Sequence, residues 1–392
     1  MIIKKVISKL FGLFFCALDY VWKKQDINIF GAGRGSRYFD NSKTLFEYYI
    51  SQGDRAYWFY TGKKPDVVGI SPDAFVQANS LYGMLIALRA KKAFACYGSL
   101  DFWLYRFSRK TVSVQLWHGI PIKKVFFGEK NLTQRKKLQY LFEISAFQYF
   151  IVSSKLEQYI ISAQTGMHLD RVKVLGYPRN DNLFKSANEV IIPEVVALNS
   201  NFKKVVLFAP TFRNNDYSVF SSFNDDEWNV FFDFLKTENF LCIFRAHAVE
   251  FLQNNDDNAK RLSKYSSNVI FLGQDKYQDA QDLMVYSDIL ISDYSGMIPD
   301  YLLLDKPIIR FIFDEQQYDN ERGVNFLQKN LPIGSAAYNM PTLIEALRQC
   351  VESTEESVAV NAFAKKMYHD NLCGKYSEKI YNYFNSLSQG KV

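Results

Sequence analysis

The stretch DILISDYSGMIPDYLLLDKPIIRFIF (288–313) decides the fold. It opens on a short apolar run, DILIS (288–292), and closes on another, PIIRFIF (307–313). Between them lie a polar turn, Asp293-Tyr294-Ser295-Gly296, and a segment of helical character. Strand, turn, helix and strand in that order make a βαβ unit, whose two strands run parallel. The same alternation extends towards the N-terminus. KVVLFAP (204–210), FLCIFR (240–245) and NVIFL (268–272) precede it as candidate strands. Before a break come six more: INIF (27–30), RAYWFY (55–60), KAFACY (92–97), TVSVQLW (111–117), YFIVSS (149–154) and RVKVL (171–175). Two sets of strands alternating with helix-length segments imply an α/β protein with two Rossmann-like domains built on parallel sheets. The expected division is a helix over 1–25, domains over 26–187 and 188–360, and a helical segment over 361–392. The polar stretch Phe184 to Lys203, with one proline, reads as the linker.

Composition agrees with this class. The chain has 392 residues, 48% hydrophobic and 22% charged, which excludes a disordered tail, a collagen-like repeat and a disulfide miniprotein. The net charge of +6 suggests an anionic partner without naming it. Five cysteines, at 16, 96, 242, 350 and 373, are too scattered for a disulfide framework or a zinc site and point to a reducing, cytosolic compartment.

The N-terminus, MIIKKVISKLFGLFFCALDYVWKK, is apolar but too short to span a bilayer, its longest uncharged run being Leu10 to Leu18. On a helix, Lys4, Lys5, Ser8, Lys9, Gly12 and Asp19 fall on one face, and Ile3, Ile7, Leu10, Phe14, Leu18 and Val21 on the other. That is the pattern of an in-plane helix attracted to anionic lipid. A helix packed on the protein and a cleaved signal are the alternatives, the signal disfavoured by the poor cleavage site at Asp19 to Trp22. A second basic cluster, Lys123, Lys124, Lys130, Arg135, Lys136 and Lys137, either touches the same surface or is a solvated face.

In open parallel sheets, ligands bind beyond the carboxyl ends of the strands, so the residues just after each strand carry the search for chemistry. Gly31-Ala-Gly-Arg-Gly35 departs from the dinucleotide fingerprint, because position 36 is Ser. His118, followed by Gly119-Ile120-Pro121, stands where an imidazole can take a proton from a hydroxyl. Arg179 in Gly176-Tyr-Pro-Arg-Asn-Asp181 can hold a phosphate, while Asn180 or Asp181 can cap a helix. Thr211 and Arg213 offer a hydroxyl and a guanidinium in one loop. Arg245 and His247 form a small cationic site. Asp293, Ser295 and Gly296 precede a helix, where free N–H groups favour an anion, although simple N-capping accounts for the same residues.

In order, WHGIPIKK (117–124), GYPRND (176–181), APTFR (209–213), RAH (245–247) and SDYSGMIPDYLLLDKPII (292–309) resemble the CDP-glycerol glycerophosphotransferases of the teichoic-acid primase and polymerase type. RYFDNSKTLFEY (37–48) and FDEQQYDNERGVNF (313–326) resemble the same family, so the likeness runs from about residue 28 to 385. The resemblance implies a GT-B-like pair of domains whose sheets face across a cleft, and transfer of glycerol phosphate from CDP-glycerol to a hydroxyl of a lipid-linked or polymeric glycan acceptor, with release of CMP. It implies His118 as general base and His247 as the group acting on the donor phosphate. Arg213 and Ser295 would contact the pyrophosphate, with Thr211, Arg245 and Gly296 beside them. Asp293 would orient its loop or meet the donor, and Arg179 would be structural or phosphate-facing. No cofactor is required, Mg²⁺ entering, if at all, with the donor; no metal site and no nucleic-acid partner are implied. The expected location is the cytoplasmic face of the cell membrane, as a peripheral protein on an anionic surface. Ala246 and Ala248 replace prolines common in the family, Gly296 a serine and Ile120 a threonine, which leaves CDP-ribitol or another CDP-polyol open as donor. A nucleotide-sugar glycosyltransferase and an inactive membrane-bound scaffold stand as the alternative functions.

Overall fold

The computed structural model describes residues 2–198, 201–211, 219–245, 267–273, 277–321 and 331–388. The chain divides into two compact units. The first comprises residues 1–119, 125–181 and 369–392; the second comprises 120–124 and 182–368.

The first unit is built on seven strands, β1 (Asn28–Gly31), β2 (Ala56–Tyr60), β3 (Phe75–Gln77), β4 (Lys92–Ala95), β5 (Val112–Gln115), β6 (Tyr149–Val152) and β7 (Val172–Val174). Their order is β3-β2-β1-β4-β5-β6-β7, and every pairing is parallel. The second carries β8 (Lys204–Ala209), β9 (Phe240–Phe244), β10 (Val269–Phe271), β11 (Ile289–Ser292), β12 (Ile308–Phe311) and β13 (Ser335–Ala337). Its order is β10-β9-β8-β11-β12-β13, again all parallel. The expected α/β class with two Rossmann-like sheets is therefore observed. Each sheet gains one strand that the sequence did not announce, β3 and β13, both three residues long and both at a sheet edge.

Each order reverses direction once, between β1 and β4 and between β8 and β11, and such a switch point is where α/β sheets open a crevice. In the first unit that crevice is filled by the chain itself. The buried carboxylate of Asp101 accepts the backbone N–H groups of Arg34 at 2.7 Å, Cys96 at 3.0 Å and Tyr97 at 2.7 Å. A Cβ on Gly31 would strike the Asp101 carbonyl, so only glycine lets this loop close. An anion supplied by the protein thus sits in the Gly-rich turn, which accounts for the missing dinucleotide fingerprint.

Both sheets are sandwiched by aromatic-rich cores. Phe208, Phe244, Trp228 and Phe311 pack in the second unit. Its helix Asp225–Thr237 starts in a reciprocal cap between Asn224 and Glu227, with three acidic residues in the first turn. The helix Tyr376–Ser388, although last in sequence, completes the core of the first unit: Ile380 and Phe384 are fully buried, and Phe384 meets Phe94 at 5.7 Å. The buried ammonium of Lys92 reaches Asn385 Oδ1 at 2.6 Å, and desolvation lowers its pKa.

Two sequence expectations are corrected. The Phe184 to Lys203 stretch, read as a polar linker, belongs to the second unit, and within it Val190, Ile192 and Val195 are buried and Glu194 accepts the Tyr277 hydroxyl at 2.8 Å. The first helix, Ile2–Val21, does not present Gly12 and Asp19 to solvent. Its inner stripe is Phe11, Gly12, Phe15, Leu18 and Asp19. Asp19 is fully buried, pairs with Lys24 and accepts Ser108 and Thr111 hydroxyls at 2.7 Å and 3.1 Å. Partners some ninety residues away convert a charge that looks solvent-facing into a core anchor. The outer stripe, Leu10, Leu13, Phe14, Tyr20 and Val21, is apolar and exposed. Among the described residues no helix is long and apolar enough to cross a membrane.

Candidate functional site

His118 stands just beyond β5, in a backbone that only this local sequence permits. Gly119 has φ +115, and a Cβ there would collide with Nη2 of Arg179. The half-buried imidazole contacts two rings. Tyr97 stacks on one side at 4.6 Å and 7°, and Trp117 covers it at 4.3 Å and 31°. His118 Nδ1 is 3.3 Å from the Cys96 carbonyl, which can only accept. Nδ1 therefore carries the proton, and Nε2 of the neutral ring is the acceptor. Loss of hydration pulls the His118 pKa below its ordinary 6.5, opposed by the Asp40 carboxylate and the Cys96 carbonyl and assisted by the Arg179 charge. An imidazole that is largely neutral at pH 7 is the result.

Arg179 is drawn to the same place. Its Nη1 pairs with Asp40 Oδ1 at 3.1 Å and donates to the His118 carbonyl at 2.8 Å. The rest of its motif is structural. Gly176, at φ +84, makes room for the Tyr376 ring, and Asp181 accepts the N–H groups of Tyr376 at 2.7 Å and Ser377 at 2.9 Å. Asp181 thus caps the last helix of the chain rather than the one that follows it.

A second cluster lies in the other unit at the β8–β11 switch point. Asp293, buried, accepts the Thr211 N–H at 2.9 Å, the Thr211 hydroxyl at 2.6 Å and the Tyr294 N–H at 2.6 Å. Ser292 Oγ donates to the Ala209 carbonyl at 2.6 Å. The ends of β8 and β11 are thereby laced together. Ser295 Oγ accepts the Met297 N–H at 3.2 Å, and Gly296 caps the helix Met297–Tyr301. This helix is a little over one turn, so its dipole adds little. Beside it Tyr294 stacks on Tyr318 at 3.8 Å, Ile122 packs against both, and the Lys123 ammonium lies 5.7 Å from the Tyr318 ring. Arg245, just past β9, is buried and donates to the carbonyls of Tyr277 at 2.7 Å and Gln278 at 3.1 Å. It fastens a neighbouring segment to the sheet.

Arg213 and His247 lie outside the described residues. Asp40, Asn41, Tyr97 and Asp101 were not singled out by reading strand ends. Only the likeness of RYFDNSKTLFEY to a family opening touched the first two. Among the described residues, no group of three or more His, Cys, Asp or Glu is placed to hold a metal ion.

A family model described as CDP-glycerol:poly(glycerophosphate) glycerophosphotransferase matches residues 13–385. The teichoic acid glycerol-phosphate transferase of Staphylococcus aureus (strain NCTC 8325 / PS 47) is 28% identical over 378 residues, covering 90% of this chain and 90% of its own length. The teichoic acid poly(glycerol phosphate) polymerase of Bacillus spizizenii (strain ATCC 23059 / NRRL B-14472 / W23) is 25% identical over 395 residues, covering 96% of this chain and 94% of its own. A solved structure of the wall teichoic acid polymerase TagF has a TM-score of 0.81 at 23% identity, over 100% of this chain and 97% of that chain. This last is a likeness of fold.

Proposed function

This chain belongs to the CDP-glycerol:poly(glycerophosphate) glycerophosphotransferase family, and on that premise we propose that it transfers glycerol phosphate from CDP-glycerol to a hydroxyl of a lipid-linked glycan acceptor in wall or capsule polymer synthesis. The observation that carries the reading is the imidazole of His118, whose Nδ1 is committed to the Cys96 carbonyl so that Nε2 is the proton acceptor. In the reaction, Nε2 takes the acceptor hydroxyl proton as oxygen bonds to the glycerol-bearing phosphorus. The pyrophosphate P–O bond breaks and CMP leaves with the bonding pair. Charge stabilisation and positioning dominate such transfers. The Thr211–Asp293 lacing fixes the strand ends around which the donor's phosphates would bind, with Ser295, Gly296, Arg213, Arg245 and His247 as further donor-side candidates. No resident cofactor is assigned; Mg²⁺ would arrive with the nucleotide.

The acceptor is placed at an anionic membrane surface, on its cytoplasmic face. Supporting this are Leu10, Leu13, Phe14 and Val21 on the first helix, and Leu138 and Leu141 on the helix Gln134–Ile144, all exposed. Arg135 and Lys137 are exposed beside them. Phe142 joins the two helices, with the Arg106 guanidinium 4.3 Å and the Lys9 ammonium 5.0 Å from its ring. Exposed apolar side chains ringed by cations suit lipid headgroups.

The test is a donor screen with purified protein and lipid-linked acceptor, comparing CDP-glycerol, CDP-ribitol and nucleotide sugars. CMP released with label moved from CDP-glycerol is the expected result. Nucleoside diphosphate released from a nucleotide sugar, with CDP-glycerol inert, would replace this reading by glycosyl transfer.

A further inference from the structure

Asp40 begins the helix Asp40–Ser51 with φ +66, a left-handed conformation uncommon for a residue with a side chain. Its carboxylate is buried and has partners on separate elements. Oδ2 accepts the Tyr97 hydroxyl at 3.1 Å, and Oδ1 accepts Arg179 Nη1 at 3.1 Å and the Asn41 N–H at 2.8 Å. Asn41 extends the same hub: Nδ2 donates to the Trp117 carbonyl at 2.9 Å, and Oδ1 accepts the Arg179 N–H at 3.0 Å. Two tethers therefore run from Asp40 to His118. One passes through Tyr97, whose ring is stacked on the imidazole. The other passes through Arg179, which holds the His118 carbonyl.

We propose that Asp40 is a positioning residue of the transferase, holding the His118 imidazole in register through the Tyr97 hydroxyl and the Arg179 guanidinium. The inference rests on His118 being the base. A strained backbone persists where surrounding structure over-determines it, and such strain gathers at functional sites. Here it aims one carboxylate at two groups that both end on the same histidine. Among the described residues, the charged and titratable groups recorded against His118 are Asp40 from the helix start, Tyr97 from the β4 end and Arg179 from the β7 end, with the Cys96 carbonyl beside them. Asp40 favours the imidazolium and Arg179 opposes it. The two charges hence act in opposite directions on the same titration.

The experiment measures CMP release from CDP-glycerol by full-length protein across pH, for D40N, Y97F, R179Q and H118N. D40N is expected to lower kcat/KM by roughly 10- to 100-fold, since small displacements of a reacting group cost that much. The loss should fall on kcat, with donor KM unchanged, and the acid limb should move to lower pH. R179Q should move that limb to higher pH. Y97F keeps the stacked ring and loses only the tether, and should lower kcat in a folded protein. Wild-type kcat/KM in both D40N and Y97F overturns the proposal, as does a D40N limb displaced upward. Should D40N fail to fold, Y97F decides alone: wild-type kcat overturns the proposal, and a lowered kcat supports it. If H118N itself transfers normally, the base assignment falls, and that outcome is distinct from an active D40N beside an inactive H118N.

Discussion

The ring of Tyr97 lies flat against the imidazole of His118, 4.6 Å between centroids and 7° between planes. With the Trp117 ring also 4.3 Å away, the imidazole cannot tumble about its Cβ–Cγ bond without displacing an aromatic neighbour. Its Nε2 therefore points in one direction before any substrate arrives, which is what the proposed role as base requires.

Replacement of His118 by Asn should keep the fold, because amide and imidazole share a donor that can reach the Cys96 carbonyl. CMP release should fall by roughly 10²- to 10⁴-fold, the usual contribution of a general base. The pH profile follows from the same ring. On the proposed role as base, the neutral form is the active one, and burial holds its pKa below 6.5. Activity should thus be level through neutrality and decline as pH drops below about 6.5. A kcat/KM titration checks it; an acid limb centred above neutrality would contradict the environment described.

Asp293→Ala removes the acceptor of three hydrogen bonds at a buried strand junction. Buried donors left without a partner cost about 1–3 kcal/mol each. Urea unfolding should show a loss of at least about 2 kcal/mol, and donor KM should rise as the β8 and β11 ends loosen.

The double change Leu13→Asp and Phe14→Asp alters two exposed side chains of the first helix. Thermal stability should be preserved, while co-sedimentation with anionic vesicles should weaken by about tenfold or more, because two apolar insertions are replaced by charges that the surface repels. Binding of the parent protein should also weaken as salt is raised.

Phe384→Ala opens a cavity beside Phe94 and Tyr149 in the first unit. A loss of about 3–5 kcal/mol is expected in chemical denaturation.

Reading strands from the sequence succeeded wherever both faces of a strand are buried, because FLCIF and ILIS are then continuous apolar runs. It failed at FVQ (75–77) and SAA (335–337), which are short edge strands with too few apolar residues to stand out. Strand-end reading places His118, Thr211 and Asp293 just beyond β5, β8 and β11, where the structure has them, since topology alone brings those positions to the carboxyl edge. Asp40 escaped it because it begins a helix, and its importance comes from a left-handed backbone and from partners 57 and 139 residues away. Asp19 escaped it for a related reason: a helical wheel assigns a carboxylate to water, and no local signal reports the hydroxyls of Ser108 and Thr111.

The placement of the last helix in the first unit bears on synthesis. Phe384 and Ile380 belong to a core whose other members were translated some three hundred residues earlier. A nascent chain emerging from the ribosome cannot finish its amino-terminal half until the helix Tyr376–Ser388 has been made. That half must wait, with an open apolar face, through the making of the whole second unit, and loss of this one helix would yield a chain whose defect lies at the beginning.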